Sequence, residues 1–215
     1  SGLAYAHRKC DDYGAPLGIV HRDVSPHNLM LSYEGQVKIL DFGIARTRAR
    51  TLEQLEAAST SMEETIKGKI AYMSPEQARG RPLDQRSDVY SLGVCLHELL
   101  TGQLLFRQKD RIKALQQVRS TPVPPLRRAA PDVPPALAAI VDRALAREPE
   151  GRYQSARALQ ADLAEFLHRS DPVVDDEVLS SFVAHYFRPE PPSVAAPAPA
   201  STDLGSRDLV DAHHT

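Results

Sequence analysis

The sequence predicts an α+β fold that is mainly helical and includes small β-hairpins. Of its 215 residues, 42% are hydrophobic and 25% are charged, which is enough apolar material for a core of ordinary size. Two short apolar runs, Leu29–Leu31 and 37–40, flank the turn signal Tyr33-Glu34-Gly35 and predict a hairpin. From Asp84 onwards, apolar residues recur every three or four positions, which is the helical period.

The helical signals begin with the first residues of the chain. Residues 1–9 have a helical apolar pattern with no capping residue before it, so they predict the end of a longer helix. Residues 44–70 are polar and lack a sustained period, which predicts a long loop. The next helix begins at Asp84, is apolar over much of its circumference and stops at Gly102, so we expect it in the core. Its apolar positions are Val89, Leu92, Cys95, Leu96 and Leu99.

Later segments also carry helical patterns. Pro135 suits the first position of one helix, and the following helix begins near Ser155. The last segment predicts a short amphipathic helix within an acidic extension. These segments are 110–119, 135–148, 155–167 and 177–187.

Charge and cysteine content exclude several function classes. The net charge is −2, and residues 170–215 hold only 2 Lys or Arg against 8 Asp or Glu, so the body is mildly basic and the tail acidic. Residues 1–169 hold 24 Lys or Arg against 20 Asp or Glu. This small positive excess predicts no nucleic-acid partner, because binding nucleic acid requires a clustered basic face. No apolar stretch is long enough for a membrane segment, and no signal segment is visible. With only two cysteines, the sequence predicts a protein of the reducing cytoplasm.

Three short motifs follow one another along the chain. They are His21-Arg22-Asp23-Val24-Ser25-Pro26-His27-Asn28, Asp41-Phe42-Gly43 and Ser74-Pro75-Glu76. Together they closely resemble the catalytic loop, the magnesium motif and the end of the activation segment of protein kinases. Within that family, the chain is similar to bacterial eukaryotic-like serine/threonine protein kinases. The resemblance covers residues 1–169 and implies the carboxy-terminal catalytic lobe alone. Charge and composition predict an acidic extension at 170–187 and a Pro/Ala-rich linker and disordered tail at 188–215.

The resemblance assigns the chemistry to a few side chains. Asp23 is the implied base, which accepts or orients the proton of a protein hydroxyl. Asn28 and Asp41 would hold Mg²⁺ or Mn²⁺ together with ATP, because magnesium takes oxygen ligands and keeps several waters. Met30 is a further implied ATP-binding residue. The residues that match an apolar floor beneath adenine, and equally an ordinary core, are Met30, Leu29, Leu31, Cys95 and Leu99.

The resemblance also implies a supporting framework. Phe42 is expected to pack on His21, above Asp88 of the core helix. Glu76 and Arg152 are expected to form a buried ion pair that anchors the activation segment. Small-molecule phosphotransferases related to kinases lack this anchored segment, so the implied substrate is a protein Ser or Thr.

Control by phosphorylation is a further implication. Arg22 directly precedes Asp23, and this pairing resembles kinases that are switched on by phosphorylation of the activation loop. Gly43 completes the magnesium motif at the start of that loop. A simply solvated polar loop is the alternative. The candidate phosphate acceptors are Thr47, Thr51, Ser59, Thr60, Ser61 and Thr65.

Two positions depart from the pattern of the family. Lys usually stands two residues after the catalytic Asp, where this chain has Ser25. Thr usually follows the Gly that begins the last part of the activation segment, where this chain has Lys69. One cation is therefore missing and another is present. Our hypothesis is that Lys69 directs its ammonium toward the transferred phosphate, the alternative being that it points to solvent.

The largest departure lies before the catalytic loop. Only 20 residues precede His21, and they contain neither a Gly-rich phosphate loop nor a strand lysine. The resemblance therefore predicts that the amino-terminal lobe is absent and that this chain alone has little or no kinase activity. The leading interpretation is ATP-dependent phosphorylation of Ser and Thr on proteins. The alternative is a non-catalytic, pseudokinase-like docking module.

Overall fold

The computed structural model describes residues 2–42, 69–108, 110–169 and 175–187. The helices are α1 (Gly2–His7), α2 (Pro75–Ala78), α3 (Gln85–Thr101), α4 (Arg111–Ser120), α5 (Leu126–Ala129), α6 (Pro135–Ala144), α7 (Ala156–His168) and α8 (Asp176–Tyr186). The strands are β1 (Leu29–Leu31) and β2 (Val37–Ile39), and short 3-10 turns cover Pro26–Asn28 and Pro149–Gly151. Within these ranges, no helix combines the length and the apolar character that crossing a membrane requires.

The predicted hairpin is confirmed. Strands β1 and β2 pair antiparallel, with Leu29 opposite Ile39. The turn closes through a hydrogen bond of 3.0 Å from the Gly35 amide to the Ser32 carbonyl, and Gly35 has φ of 81°. A left-handed residue at this point is the reason for glycine. The hairpin returns the chain to the catalytic loop, where the Leu40 amide donates to the Asn28 carbonyl at 2.8 Å.

Helix α3 forms the centre of the core, as predicted, and both of its ends follow the sequence signals. The Asp84 carboxylate caps its first turn by accepting from the Arg86 amide at 2.8 Å. Gly102 ends it in the left-handed conformation, with φ of 67°. Gly93 lets α6 approach closely, because a Cβ there would lie 3.1 Å from the Cβ of Ala144.

The prediction that Leu99 belongs to the buried face of this helix is wrong. Its side chain is 74% exposed. Helices α6 and α7 pack on α3 around Val89, Gly93 and Val94, and Leu99 lies on a different side of the helix. The spacing of apolar residues alone could not show which side of the helix is buried, because leucine occurs on both sides.

The later helices also begin at the expected capping residues. Asp110 caps α4 by accepting from the Lys113 amide at 2.8 Å, and Ser155 caps α7 by accepting from the Ala158 amide at 3.1 Å. Pro135 occupies the first turn of α6. The buried faces of α6 and α7 pack on α3, whereas that of α4 packs on α2. Together the helices supply a rigid base for the loops above them.

Helix α8, in the acidic extension, packs back on the hairpin. The Ser180 hydroxyl donates to the Tyr33 carbonyl at 2.7 Å, and Val183 is buried. Gly35 allows this approach, because a Cβ there would overlap the Asp176 carbonyl and lie 3.0 Å from the Ser180 amide nitrogen. The turn of the hairpin therefore carries a second constraint, from a helix far along the chain.

Replacing Gly35 with alanine tests this contact. Any alanine at positive φ costs about 1 kcal/mol, and the overlap with Asp176 adds to that cost or detaches α8. Gly14→Ala is the matched control, because Gly14 has φ of 84° but open space around it. We expect Gly35→Ala to cost about 2 kcal/mol in urea unfolding and to speed amide exchange in α8. Equal costs for the two variants would show that the contact contributes nothing.

Candidate active site

The predicted catalytic loop, residues 21–28, is fastened to α3 by one buried carboxylate. Asp88 is 1% exposed. Its Oδ2 accepts from the His21 amide at 2.7 Å, and its Oδ1 accepts from the Arg22 amide at 2.8 Å. The His7 Nε2 lies 2.8 Å from the same Oδ2. A charged acceptor with several donors makes strong hydrogen bonds, so the loop backbone is held at the start of the motif.

The buried imidazole of His21 joins the loop to the end of the hairpin. Its Nε2 lies 2.9 Å from the Leu40 carbonyl, which requires Nε2 to carry the proton. Its Nδ1 accepts from the Asp23 amide at 3.3 Å. The ring of Phe42 packs against it with centroids 4.6 Å apart. The predicted contact of Phe42 with His21 is thus present. His21 connects Asp23 of the catalytic loop with Leu40 and Phe42 at the end of the hairpin.

Two non-glycine residues at the site have left-handed backbone. Arg22 has φ of 67° and Asp41 has φ of 52°. Such residues persist only where surrounding contacts hold them, and they concentrate at functional sites. Arg22 is held from both sides, because its amide donates to Asp88 and its carbonyl accepts from Gln77 Nε2 at 2.9 Å.

The residues predicted to hold a metal offer oxygen atoms that fit Mg²⁺. The Asn28 Nδ2 donates to the Asp23 carbonyl at 2.7 Å, which leaves the amide oxygen as the ligand atom. Asp41 lies exposed just after β2, whose end is bonded to Asn28 through Leu40. In the parts of the chain described above, no three His, Cys, Asp or Glu side chains converge. One amide and one carboxylate suffice for magnesium when phosphate oxygens and water complete its coordination.

Lys69 faces Asp23 instead of solvent. Its Nζ lies 2.6 Å from Asp23 Oδ2, and the two side chains are 24% and 12% exposed. Ser25, where the family pattern has a lysine, is buried. Its hydroxyl has no hydrogen-bond partner among the described residues. Among the described residues, the cation paired with this carboxylate therefore comes from the activation segment and not from position 25 of the loop.

The predicted pair of Glu76 and Arg152 is present, and the guanidinium is fully bonded. The Arg152 Nη1 and Nη2 donate to the two Glu76 carboxylate oxygens at 2.7 and 2.9 Å. The remaining donors reach the carbonyls of Ala146, Arg86 and Arg147 at 2.7, 3.1 and 2.7 Å. All five N–H donors of the guanidinium are thereby used.

Glu76 is also held by its own neighbours. The Ser87 hydroxyl donates to its Oε1 at 2.7 Å. Burial raises the pKa of Glu76, but the hydrogen bonds from Arg152 and Ser87 outweigh burial and leave the pKa below its ordinary value. The carboxylate is therefore ionised at neutral pH. Because Glu76 lies in α2, the ion pair ties the end of the activation segment to the helical core.

Tyr72 makes a contact that the motifs did not predict. Its hydroxyl donates to the Glu98 carboxylate of α3. Burial and this hydrogen bond raise the pKa of Tyr72, so the hydroxyl remains a donor. Tyr72 lies between Lys69 and Glu76 and gives the segment a second attachment to the core. Sequence patterns could not find it, since the partner lies 26 residues away on another element.

The set proposed as an adenine floor is divided by the structure. Cys95 is buried in the core, with Leu29 packed at its edge, so these two residues follow the ordinary-core interpretation. Met30 and Leu99 are exposed apolar side chains, and the role of Met30 remains a prediction. Gly43, Thr65 and the other candidate phosphate acceptors lie outside the described residues.

Comparison with known proteins agrees with this geometry. Residues 1–164 match the family model described as the protein kinase domain. The chain is 42% identical over 166 residues, 77% of its length, to the tyrosine-protein kinase MasK of Myxococcus xanthus. It is 50% identical over 147 residues, 68% of its length, to the serine/threonine-protein kinase PknB of Mycolicibacterium smegmatis. It is 43% identical over 164 residues, 76% of its length, to PknB of Mycobacterium tuberculosis.

The matched regions are only part of those relatives. They cover 25%, 23% and 25% of the three proteins, so the chain spans about a quarter of their length. Within the chain, the family match includes the catalytic loop, both predicted metal ligands and the Glu76–Arg152 pair. The chain belongs to the protein kinase family, whose members are transferases.

Proposed function

We propose that this protein transfers the γ-phosphoryl group of ATP to Ser or Thr hydroxyls of protein substrates. One observation supports the proposal: Asp23 lies on a loop fastened by Asp88. Asn28 is bonded to the Asp23 carbonyl, and Asp41 directly follows Leu40, whose amide is bonded to the Asn28 carbonyl. PknB, named as a serine/threonine kinase in two of the relatives above, supports the acceptor class. MasK is named as a tyrosine kinase, so the experiment below also identifies which type of residue is phosphorylated.

The reaction is a direct displacement at phosphorus. The acceptor hydroxyl oxygen forms a bond to the γ-phosphorus while the bond to the oxygen bridging the β-phosphate breaks, and ADP keeps that electron pair. Asp23 orients the hydroxyl and takes its proton. Asn28 and Asp41 would supply oxygen ligands to Mg²⁺, which would neutralise charge on the phosphate oxygens. Because the reaction consumes ATP, we propose the cytoplasm as its location.

The framework residues have supporting roles in this proposal. His21, Phe42 and Asp88 position the loop, and Glu76 with Arg152 anchors the segment that presents the protein substrate. Arg22 is proposed as the partner of a phosphate on the activation loop, with Thr65 among the candidates. Such a phosphate adds about −2 charge and oxygen acceptors that pair with arginine.

Asp23→Asn in the full-length protein that contains this chain tests the function. With Mg²⁺ and ATP and a generic protein substrate, we expect the variant to lose about 10²–10⁴-fold in kcat, the usual contribution of a positioned base. Asp12→Asn, on an exposed turn, is the matched control. Phosphoamino-acid analysis of the product identifies the acceptor.

The outcomes separate the alternatives. Full activity in Asp23→Asn would remove Asp23 from the mechanism. Phosphate found only on tyrosine would overturn the acceptor class while leaving phosphoryl transfer in place. No transfer by the unsubstituted protein would favour the non-catalytic docking module.

A further inference from the structure

An activation-segment lysine occupies the centre of the candidate site. Lys69 Nζ lies 2.6 Å from the carboxylate that the proposed reaction uses as its base, and neither side chain is more than a quarter exposed. The cavity beside this pair is lined by Arg22, Val24, Tyr72, Met73 and Gln77. The ammonium is therefore held at the point where a hydroxyl and a phosphoryl group would meet.

The catalytic loop has no cation of its own two residues after Asp23. Ser25 is 1% exposed, and its hydroxyl is a buried polar atom with no partner among the described residues. Ser25 itself is neutral, so the charge at this place is supplied by Lys69.

Electrostatics gives this cation a specific task. An incoming phosphoryl group is negative and approaches the Asp23 carboxylate, so the two repel each other. The lysine ammonium has three donors on a flexible stem. It can keep one hydrogen bond to Asp23 while another reaches a phosphoryl oxygen, and this lowers the repulsion as the transfer proceeds.

The position of Lys69 depends on the attachments of the activation segment. Three residues after it, Tyr72 is bonded to Glu98 of α3. Further along, Gln77 is bonded to the Arg22 carbonyl and Glu76 to Arg152. A cation on the loop would stay beside Asp23 whatever the segment does, whereas this cation leaves when the segment moves.

We propose that Lys69 is a catalytic residue that bridges Asp23 and the transferred phosphoryl group, and that the activation segment delivers it to the site. This inference rests on the proposed function. If Lys69 has this role, the positive charge beside Asp23 depends on the anchoring of the activation segment, even when the catalytic loop itself does not change.

Two variants of the full-length protein, one without the charge and one that keeps it, test the catalytic role of Lys69. Lys69→Met keeps the length of the stem and removes the charge, and we expect kcat to fall about 10²-fold, as when one transition-state donor is removed. Lys69→Arg keeps the charge and is expected to retain at least a tenth of kcat. The melting temperature of Lys69→Met is measured alongside, so that a loss of kcat in the folded protein is distinguished from unfolding.

Moving the charge to the loop tests whether a cation beside Asp23 is what the reaction requires. Adding Ser25→Lys to Lys69→Met is expected to raise kcat at least tenfold, because the long stem can lead out of the buried position toward Asp23. A correctly melting double variant with no gain in kcat would overturn the claim that the lost charge explains the lower kcat of Lys69→Met.

A labelling experiment gives a readout that does not depend on turnover. In an acyl-phosphate derivative of ATP, the lysine amine attacks the acyl carbon, an amide forms and ATP leaves. We expect this probe to acylate Lys69, with ATP and Mg²⁺ in excess preventing it, while the exposed Lys113 on α4 shows no such protection.

Failure of the inference and failure of the function give different results. If Asp23→Asn is inactive while Lys69→Met keeps full kcat, or if Lys69 shows no ATP-protected labelling, the function stands and the role of Lys69 is overturned. If the unsubstituted protein transfers no phosphate, both are overturned.

Discussion

Replacing Arg152 with methionine is expected to lower the free energy of unfolding by about 3–5 kcal/mol, because it leaves a buried carboxylate without its partner. Methionine fills much of the space of the arginine stem but supplies none of its five hydrogen bonds to Glu76 and three carbonyls. The contact of the guanidinium with the Tyr90 ring, 4.8 Å from its centroid, is lost as well. Urea unfolding of the protein measures the change.

The same substitution at the surface provides the control. Arg169 pairs with Glu165 one helical turn away, and both side chains are more than half exposed. Such a pair contributes about 0.3–0.5 kcal/mol, so Arg169→Met should hardly change the midpoint. A cost below about 1 kcal/mol for Arg152→Met would mean that the buried pair contributes no more than a surface pair does.

The pH dependence of the two proteins should differ in sign. In the unsubstituted chain the pKa of Glu76 is below its ordinary value. The pair therefore stabilises fully above about pH 4.3, the unfolded-state pKa, and its contribution is lost as pH falls through the lower folded-state pKa. In Arg152→Met, burial outweighs the remaining hydrogen bond from Ser87, and the pKa of Glu76 rises above its ordinary value. Protonation of Glu76 then removes the buried charge and stabilises the variant.

Unfolding at pH 7 and near pH 4.5 separates these two behaviours. The difference in stability between Arg152→Met and the unsubstituted protein should shrink at the lower pH, because the variant no longer buries a charge there. A difference that stays constant across this range would show that Glu76 does not carry the cost.

The parts of the fold that the sequence predicted are those specified by local signals. Helix α3 runs between Asp84 and Gly102 because a carboxylate caps one end and glycine supplies the left-handed residue at the other. The hairpin follows in the same way from two apolar runs and Gly35. In these places the residues that determine the structure lie within a few positions of one another, so one sequence suffices to find them.

Contacts between distant parts of the chain could not be predicted in this way. His7 meets Asp88 across 81 residues, and Ser180 meets Tyr33 across 147 residues. The exposure of Leu99 likewise depends on which side of α3 faces its neighbours. No local period records such contacts, because they are decided when the elements pack together.

The candidate site shows the same division. Two family motifs identify Asp23, Asn28 and Asp41 in the sequence, and the structure adds which atom of Asn28 is left for a cation. In the sequence, Lys69 stands out only as a departure from the pattern. That it points toward the transferred phosphate could be a hypothesis but not a derivation, because a flexible four-carbon stem can reach many places. Its contact with Asp23 is seen only in the structure.

Replacing Asp88 with asparagine is expected to cost about 3 kcal/mol, since a charged acceptor of several buried donors is lost. The amide keeps the shape of the side chain, but only one of its two terminal atoms accepts. One of the backbone amides of His21 and Arg22 would then face an N–H group. The left-handed backbone of Arg22 loses one of its two attachments, so the catalytic loop should open more readily.

Amide exchange locates this effect in the loop. A loss of about 3 kcal/mol in local stability corresponds to roughly a hundredfold faster exchange at His21 and Arg22. Asp84→Asn on the same helix is the control, because asparagine caps a helix as well as aspartate does. If amide exchange and unfolding of Asp88→Asn match those of Asp84→Asn, the hydrogen bonds of Asp88 do not hold the loop. His21, through its contacts with Leu40 and Phe42, would then be the residue that positions Asp23.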